Sequence, residues 1–263
     1  MYKLYSILLD HIFHNLKFFL RRRNFFILYL YKSILVLDKK FKPKIFKVRN
    51  YYDYITVREI FLLECYKLDH LIKYNEIMLY YNNIVQKNKI PLIIDCGANI
   101  GASSYYFLQN FKKTKIVSIE PDKKNFELLN FNLKDKEIEL FEKAISSENS
   151  TFEISKSSED PRAFRAIESK EGIINSITVD EILNNFNPEI YEPFIMKIDI
   201  EGGEKDLFKK NIEWVNKFKI IIIEPHDWMY PKSYTFHNFL QTISKLKREF
   251  IILNENIVSI RND

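Results

Sequence analysis

Acidic side chains fall at four points in this chain where a short apolar run gives way to glycine or proline. Asp95 follows Leu92, Ile93 and Ile94 and precedes Gly97, Asn99 and Gly101. Glu120 ends the run from Lys115 and precedes Pro121. Asp199, Glu201 and Glu204 follow Phe194 to Ile198 and surround Gly202 and Gly203, and Glu224 follows Ile220 to Ile223, with Pro225, His226 and Asp227 next. Short apolar runs bounded by turn residues read as buried strands of a parallel sheet. Four strand ends would then deliver acids and one histidine to a single rim. Carboxylates there can accept hydrogen bonds from hydroxyls or pair with a cation, and a nearby imidazole can move a proton.

The first of these turns is the most specific. A strand, a small-residue turn (Gly97, Ala98, Asn99, Gly101) and a helix opening at Ala102, Ser103 and Ser104 aim backbone N–H groups over the carboxyl edge of the sheet, where nucleotide-like ligands bind. The dinucleotide fingerprint places glycine at the first, third and sixth positions. Those positions here hold Gly97, Asn99 and Ala102, so the middle glycine that admits a pyrophosphate is absent. Asp95 would repel a pyrophosphate and attract a cation. An adenosine carrying a positive centre and no phosphates fits better, and S-adenosylmethionine is such a ligand. Glu120 lies about 20 residues beyond the turn, the distance at which an acid receives ribose hydroxyls. The plainer alternative is a strand–turn–helix junction whose glycines serve geometry alone.

In their order and spacing, Asp95-Cys96-Gly97-Ala98-Asn99-Ile100-Gly101, Glu120-Pro121, Lys197-Ile198-Asp199-Ile200-Glu201-Gly202-Gly203-Glu204 and Glu224-Pro225-His226 resemble the FkbM-type S-adenosylmethionine-dependent methyltransferases. Thr178-Val179-Asp180-Glu181-Ile182-Leu183 is similar to the strand–helix step before that family's acidic motif. The resemblance spans roughly residues 88 to 254. Cys96 stands where a β-branched aliphatic is usual, and Gly203 where alanine is common. The resemblance implies an α/β class I methyltransferase (Rossmann-like) fold. Its sheet would be mostly parallel and seven-stranded, with helices on both faces and a C-terminal antiparallel hairpin. It also implies O-methylation of a hydroxyl on a sugar, in a surface glycan, glycolipid or natural-product precursor. The expected cofactor-binding set is Asp95, Gly97, Asn99, Gly101, Glu120, Pro121, Ala144 and Asp199, with Ala144 near the adenine. A non-catalytic binding or scaffold protein of the same fold is the alternative. A nicotinamide oxidoreductase is disfavoured by the missing middle glycine and the terminal hairpin.

For catalysis, His226 has the intrinsic pKa best suited to a general base, near 6.5. Asp199 and Glu201 would hold the acceptor hydroxyl or the cofactor ammonium. A histidine that merely caps a strand end is the competing reading. Asp199, Glu201, Glu204 and Asp227 are hard oxygen ligands that Mg²⁺ would accept. The same acids suit the N-terminus of a helix starting near Gly203, so a metal-free site is the expectation.

The elements that would position these residues can be read along the chain. Helices are expected over Ala102–Phe111, Lys123–Leu133, Lys205–Lys209 and Tyr234–Leu246. Strands are expected over Ile138–Ala144, Thr151–Ile154, Phe250–Leu253 and Ile257–Ile260. Lys156–Ala166 reads as a loop, with Arg162 and Arg165 able to grip a phosphate or carboxylate.

The 263 residues, 46% hydrophobic and 29% charged, allow one α/β domain plus an extension. Two cysteines, one inside the glycine turn, argue against a disulfide framework and for a reducing cytoplasm. No base-flipping motif is present, so nucleic acid is not an expected partner. Residues 1–50 carry 12 of the 40 Lys and Arg but only 2 of the 35 Asp and Glu. The basic, aromatic leading segment, residues 1–85, reads as a helical extension before a methyltransferase domain over 86–263. Phe25–Leu37 is too short to cross a bilayer. The extension would pack on its own domain, join two subunits into a homo-oligomer, cover the substrate as a lid, or lie on the anionic inner face of the membrane.

Overall fold

The computed structural model describes residues 24–155 and 164–262, in two compact units divided after Tyr66. The helix α2 (described below), which the sequence reading assigns to the extension ending at residue 85, lies within the second of these units.

In the first unit, β1 (Phe25–Leu30), β2 (Ser33–Asp38) and β3 (Pro43–Lys47) form an antiparallel meander, followed by α1 (Tyr51–Phe61). The helical reading of Phe25–Leu37 is corrected here. Lys32 adopts a φ of 54° and closes a tight turn between β1 and β2. Along β2 the buried residues are Ile34 and Val36, a period of two that β-branched side chains favour. Asn50 caps α1 by accepting from the Tyr52 and Asp53 backbone N–H groups. Phe25 meets Phe61 edge-on at 5.0 Å. Residues 1–23, which carry the basic amphipathic pattern, lie outside the described residues.

The second unit is built on a mixed seven-stranded sheet. Its strands are β4 (Ile90–Cys96), β5 (Lys115–Ile119), β6 (Ile138–Phe141), β11 (Tyr191–Ile198), β12 (Ile220–Ile223), β13 (Arg248–Leu253) and β14 (Asn256–Arg261), in the order β13-β14-β12-β11-β4-β5-β6. From β12 to β6 all pairs are parallel, while β14 runs antiparallel to both β12 and β13. The expected terminal hairpin is thus present. The chain winds outward from β4 through β5 and β6, then returns to β11 on the other side. The junction of β4 and β11 is therefore the switch point where such sheets open a crevice.

Both faces of the sheet are covered. Leu92, Ile94, Cys96, Met196, Ile198, Ile221 and Ile223 pack into one core with Val179 and Ile182 of α5 (Val179–Asn184), Leu207 of α6 (Glu204–Leu207) and Phe239 and Ile243 of α7 (His237–Ile243). On the other face Phe194 packs against Tyr81 of α2 (Tyr74–Gln86) and Phe111, at the end of α3 (Ala102–Asn110). Continuous Ile-rich strands follow from this double burial. α4 (Lys123–Leu133) connects β5 to β6. The helices expected at 205–209 and 234–246 are shorter than the sequence pattern suggested, as α6 and α7.

A second sheet was not anticipated. β7 (Ala144–Ile145), β10 (Ile174–Ile177), β8 (Thr151–Ser155) and β9 (Arg165–Glu168) lie in that order. The single strand expected over Ile138–Ala144 is split. β6 stops at Phe141, and Ala144 pairs with Ser176 in the other sheet. Of the expected loop 156–166, residues 156–163 with Arg162 lie outside the described residues, and Arg165 begins β9.

Candidate active site

The parallel ladder carries the site residues to one edge. The Asp199 N–H donates to the Cys96 carbonyl at 3.1 Å, and the Glu224 N–H donates to the Ile198 carbonyl at 3.0 Å. Hydrogen bonding therefore continues just past the last residues of β11 and β12. It fixes the ends of β4, β11 and β12 against one another.

At the end of β4 the chain turns through Gly97 (φ 76°), Asn99 (φ 48°) and Gly101 (φ 87°) into α3. Gly97 is required here. A Cβ on it would lie 1.7 Å from the Asp199 carbonyl oxygen, and the Gly97 and Ala98 N–H groups both donate to the Ile119 carbonyl at 3.0 Å. Three strand ends thus converge on one glycine. The side-chain Oδ1 of Asn99 is buried with no hydrogen-bond partner.

Asp95 is wholly buried, and its Oδ2 accepts from the hydroxyls of Ser103 at 2.5 Å and Ser104 at 2.6 Å. Its Oδ1 faces the Lys197 ammonium at 3.2 Å. Asp95 and Lys197 are register partners on adjacent strands, which puts them on the same face of the sheet. The cation that Asp95 meets here is the chain's own Lys197, and through it and the two serines Asp95 positions the turn.

Lys197 was missed as a functional residue, although a lysine inside Phe-Ile-Met-Lys-Ile-Asp-Ile was a visible signal. It donates to the Gly97 carbonyl at 2.7 Å and lies 3.4 Å from Asp199 Oδ2. Burial alone would lower its pKa. Asp95 and Asp199 outweigh that and hold it above the ordinary lysine value. Cys96, by contrast, is a buried thiol whose pKa is pushed up by desolvation, so it is no nucleophile.

Glu120 ties the turn to the next helix. Its Oε2 accepts from the Asn99 N–H at 2.9 Å, and its Oε1 from the Asp122 N–H at 3.0 Å and the Asn125 amide at 3.2 Å. Burial pushes its carboxyl up to about 7 despite those donors. Pro121, half-buried, leads into Asp122, which caps α4. Ala144 is buried and belongs to the second sheet.

Beyond β11 the chain turns at Glu201 (φ 54°) and Gly202 into α6. His226 lies among the resulting acids with its side chain 1% exposed. Its Nδ1 pairs with Glu204 Oε1 at 2.8 Å. Its Nε2 faces Glu201 Oε2 at 3.5 Å, Asp199 Oδ1 at 3.7 Å and Glu224 Oε1 at 3.8 Å. Burial would depress the imidazole, but the Glu204 hydrogen bond and the charges of Glu204, Glu201 and Asp199 push it up to about 10. The acids thus shift the imidazole upward from the near-neutral value on which the general-base expectation for His226 rests. Desolvation raises Glu201 and Glu224, with Asp199 adding to both.

Asp227, offered above as a metal ligand, instead accepts from the Thr235 hydroxyl at 2.7 Å and the Phe236 N–H at 3.2 Å. Arg165 reaches the same rim. Its Nη2 donates to the Gly202 carbonyl at 3.2 Å, and its guanidinium lies 4.9 Å from the Tyr230 ring centroid.

Comparison with known proteins bears on this geometry. The methyltransferase FkbM domain matches residues 95–250, from the acid of the first turn to the terminal hairpin. The chain belongs to the FkbM methyltransferase family. Among solved structures it is similar to a methyltransferase FkbM from Methylobacillus flagellatus KT, with a TM-score of 0.41 and 17% identity over 66% of this chain. The chain spans 44% of that protein's length. It is also similar to the O-methyltransferase TomG from Streptomyces achromogenes, with a TM-score of 0.41 and 8% identity over 81% of this chain and 91% of that one. No curated protein matches. In this FkbM family member the glycine turn abuts Asp199 at one strand-end rim, with His226 Nε2 3.7 Å from Asp199 Oδ1.

Proposed function

We propose that the chain transfers a methyl group from S-adenosylmethionine to a hydroxyl of a neutral, hydroxyl-rich acceptor, namely a sugar of a glycan, glycolipid or natural-product precursor. The observation that carries this reading is the meeting of the Gly97 turn with Asp199 at the switch point between β4 and β11. The residues suit the donor. Asn99 Oδ1 is buried and unpartnered, Glu120 is a carboxylate at the next strand end hydrogen-bonded to the turn, and the turn lacks the middle glycine a pyrophosphate needs. The donor, when bound, supplies a methyl group on a sulfonium, already activated for displacement.

The chain's own contribution is alignment, which can lower a barrier by roughly 7–11 kcal/mol. Lys197 holds the Gly97 carbonyl, Asp95 and Asp199 together, so the donor side and the acceptor side keep their register. The acids beyond β11 and β12 accept hydrogen bonds from hydroxyls and repel anionic acceptors. Glu201 Oε2, buried and without a hydrogen-bond donor, is placed to take the acceptor's proton. His226, held through Nδ1 by Glu204, orders these acids.

Calorimetry of the whole chain with S-adenosylhomocysteine and with NAD tests the donor. Binding of the first, weakened by Glu120→Ala, is expected; no affinity for it, or affinity for NAD instead, overturns the reading. Once an acceptor is found, Glu201→Gln should slow turnover by about 10²–10⁴-fold with donor binding retained.

A further inference from the structure

The acids around His226 are arranged more specifically than hydroxyl binding requires. One ligand atom each from Asp199, Glu224 and His226 lies within 4.8 Å of the others. The histidine is buried, and Glu204 holds it from behind through Nδ1, so Nε2 points at the carboxylates. The separations from Nε2 to Asp199 and Glu224, 3.7 and 3.8 Å, are too long for hydrogen bonds. They are close to the spacing of ligands that share one ion, since bonds of about 2.0–2.2 Å place neighbouring ligands roughly 3–3.7 Å apart. A carboxylate on the far nitrogen of a metal-bound histidine is the usual outer-shell arrangement, fixing both tautomer and ring orientation. A second observation points the same way. Glu201 Oε2, 3.5 Å from Nε2 and so on the side of the ring that faces the carboxylates, is buried and has no hydrogen-bond partner. An uncompensated buried carboxylate oxygen is costly, and a cation beside it removes that cost.

We propose that Asp199, Glu224 and His226 bind a divalent cation, which takes the place of the Nε2 proton and releases it to solvent, with Glu204 as the outer-shell partner of His226 and Glu201 beside the ion. One imidazole nitrogen with carboxylate oxygens suits Mn²⁺ and its transition-metal neighbours better than Ca²⁺ or Mg²⁺, which prefer all-oxygen shells. The site itself does not depend on the methyl-transfer reading. Its use does: an ion there would bind the acceptor hydroxyl and ease loss of its proton, leaving Glu201 to receive it.

Mn²⁺ titration of the full chain, followed by electron paramagnetic resonance, tests the site without an activity assay. One saturable Mn²⁺ per chain is expected, with ¹⁴N hyperfine coupling from the imidazole. Asp199→Asn and Glu224→Gln should each weaken binding by at least about tenfold, and Glu204→Gln by about 10–100-fold although it would not touch the ion. No saturable binding, no ¹⁴N coupling in the unmodified chain, or unchanged affinity in the ligand variants overturns the proposal. The coupling measurement needs no variant, so a misfolded variant does not blunt the test. S-adenosylhomocysteine calorimetry on the same sample separates the two readings. Mn²⁺ binding without nucleoside binding would sink the methyl-transfer reading alone, and the reverse would sink the metal site alone.

Discussion

Burial places Glu120 where ordinary changes of pH alter its charge. Desolvation pushes its carboxyl up to about 7, against three hydrogen bonds that favour the anion. Ribose hydroxyls donate, so they prefer the carboxylate. If Glu120 receives them, affinity for S-adenosylhomocysteine should rise with pH through about 7 and level off above it. Glu120→Gln should bind more weakly and lose that slope. Calorimetry between pH 6 and pH 8.5 reads both effects, and a profile unchanged by the substitution would remove Glu120 from the ribose. Lys197 makes a different claim. It is the buried cation between Asp95 and Asp199, so Lys197→Met strands at least one buried carboxylate. Breaking such a pair from one side costs about 3–5 kcal/mol. Urea unfolding should show a loss of that order. Adding Asp95→Asn to Lys197→Met should recover part of it, because the two effects share one interaction.

At the level of elements, the terminal hairpin closes the sheet and one buried side chain pins it. Arg248 opens β13 and donates to the Ser259 hydroxyl and carbonyl in β14, and to the carbonyls of Val215, Phe218 and Lys219. Lysine cannot reproduce that fork, so Arg248→Lys should cost at least about 2 kcal/mol in thermal or urea unfolding. The sequence announced this hairpin, the parallel strands and the strand-end acids, because doubly buried strands are short Ile-rich runs stopped by Gly or Pro. It hid the β1–β2 hairpin, whose apolar residues fall on both faces, so the buried pair Ile34 and Val36 is masked by Leu35 and Leu37. The second sheet was equally hidden, since β7 has only two residues and its partner in pairing lies about thirty residues away, at Ser176 and Ile177. At the site, spacing identified which residues meet but not which way they face. Asp95 turned toward serines and a lysine, and His226 toward a ring of acids, through cross-strand register that one sequence does not print.

The whole molecule pairs a family domain of mildly acidic composition with a leading part that is strongly basic. Among the described residues no helix is long and apolar enough to cross a membrane. The first unit still presents unusual chemistry to solvent. Lys39, Lys40, Phe41 and Lys42 are all exposed in the turn between β2 and β3. We propose that this turn rests on anionic lipid, where an aromatic ring settles at the headgroup level and each lysine near the surface adds about 1 kcal/mol. The attraction is electrostatic first, so salt must weaken it. In flotation assays the full chain should rise with vesicles rich in an anionic phospholipid at low salt. It should stay behind with purely zwitterionic vesicles, and lose most of its binding as ionic strength increases. Charge reversal at Lys39, Lys40 and Lys42, all exposed and remote in sequence from residues 95–250, should abolish flotation while leaving S-adenosylhomocysteine binding intact. Equal recovery with both lipid types, or none with either, would leave the basic surface to a second protein chain, and sedimentation of the same sample would then show the self-association that a homo-oligomer demands.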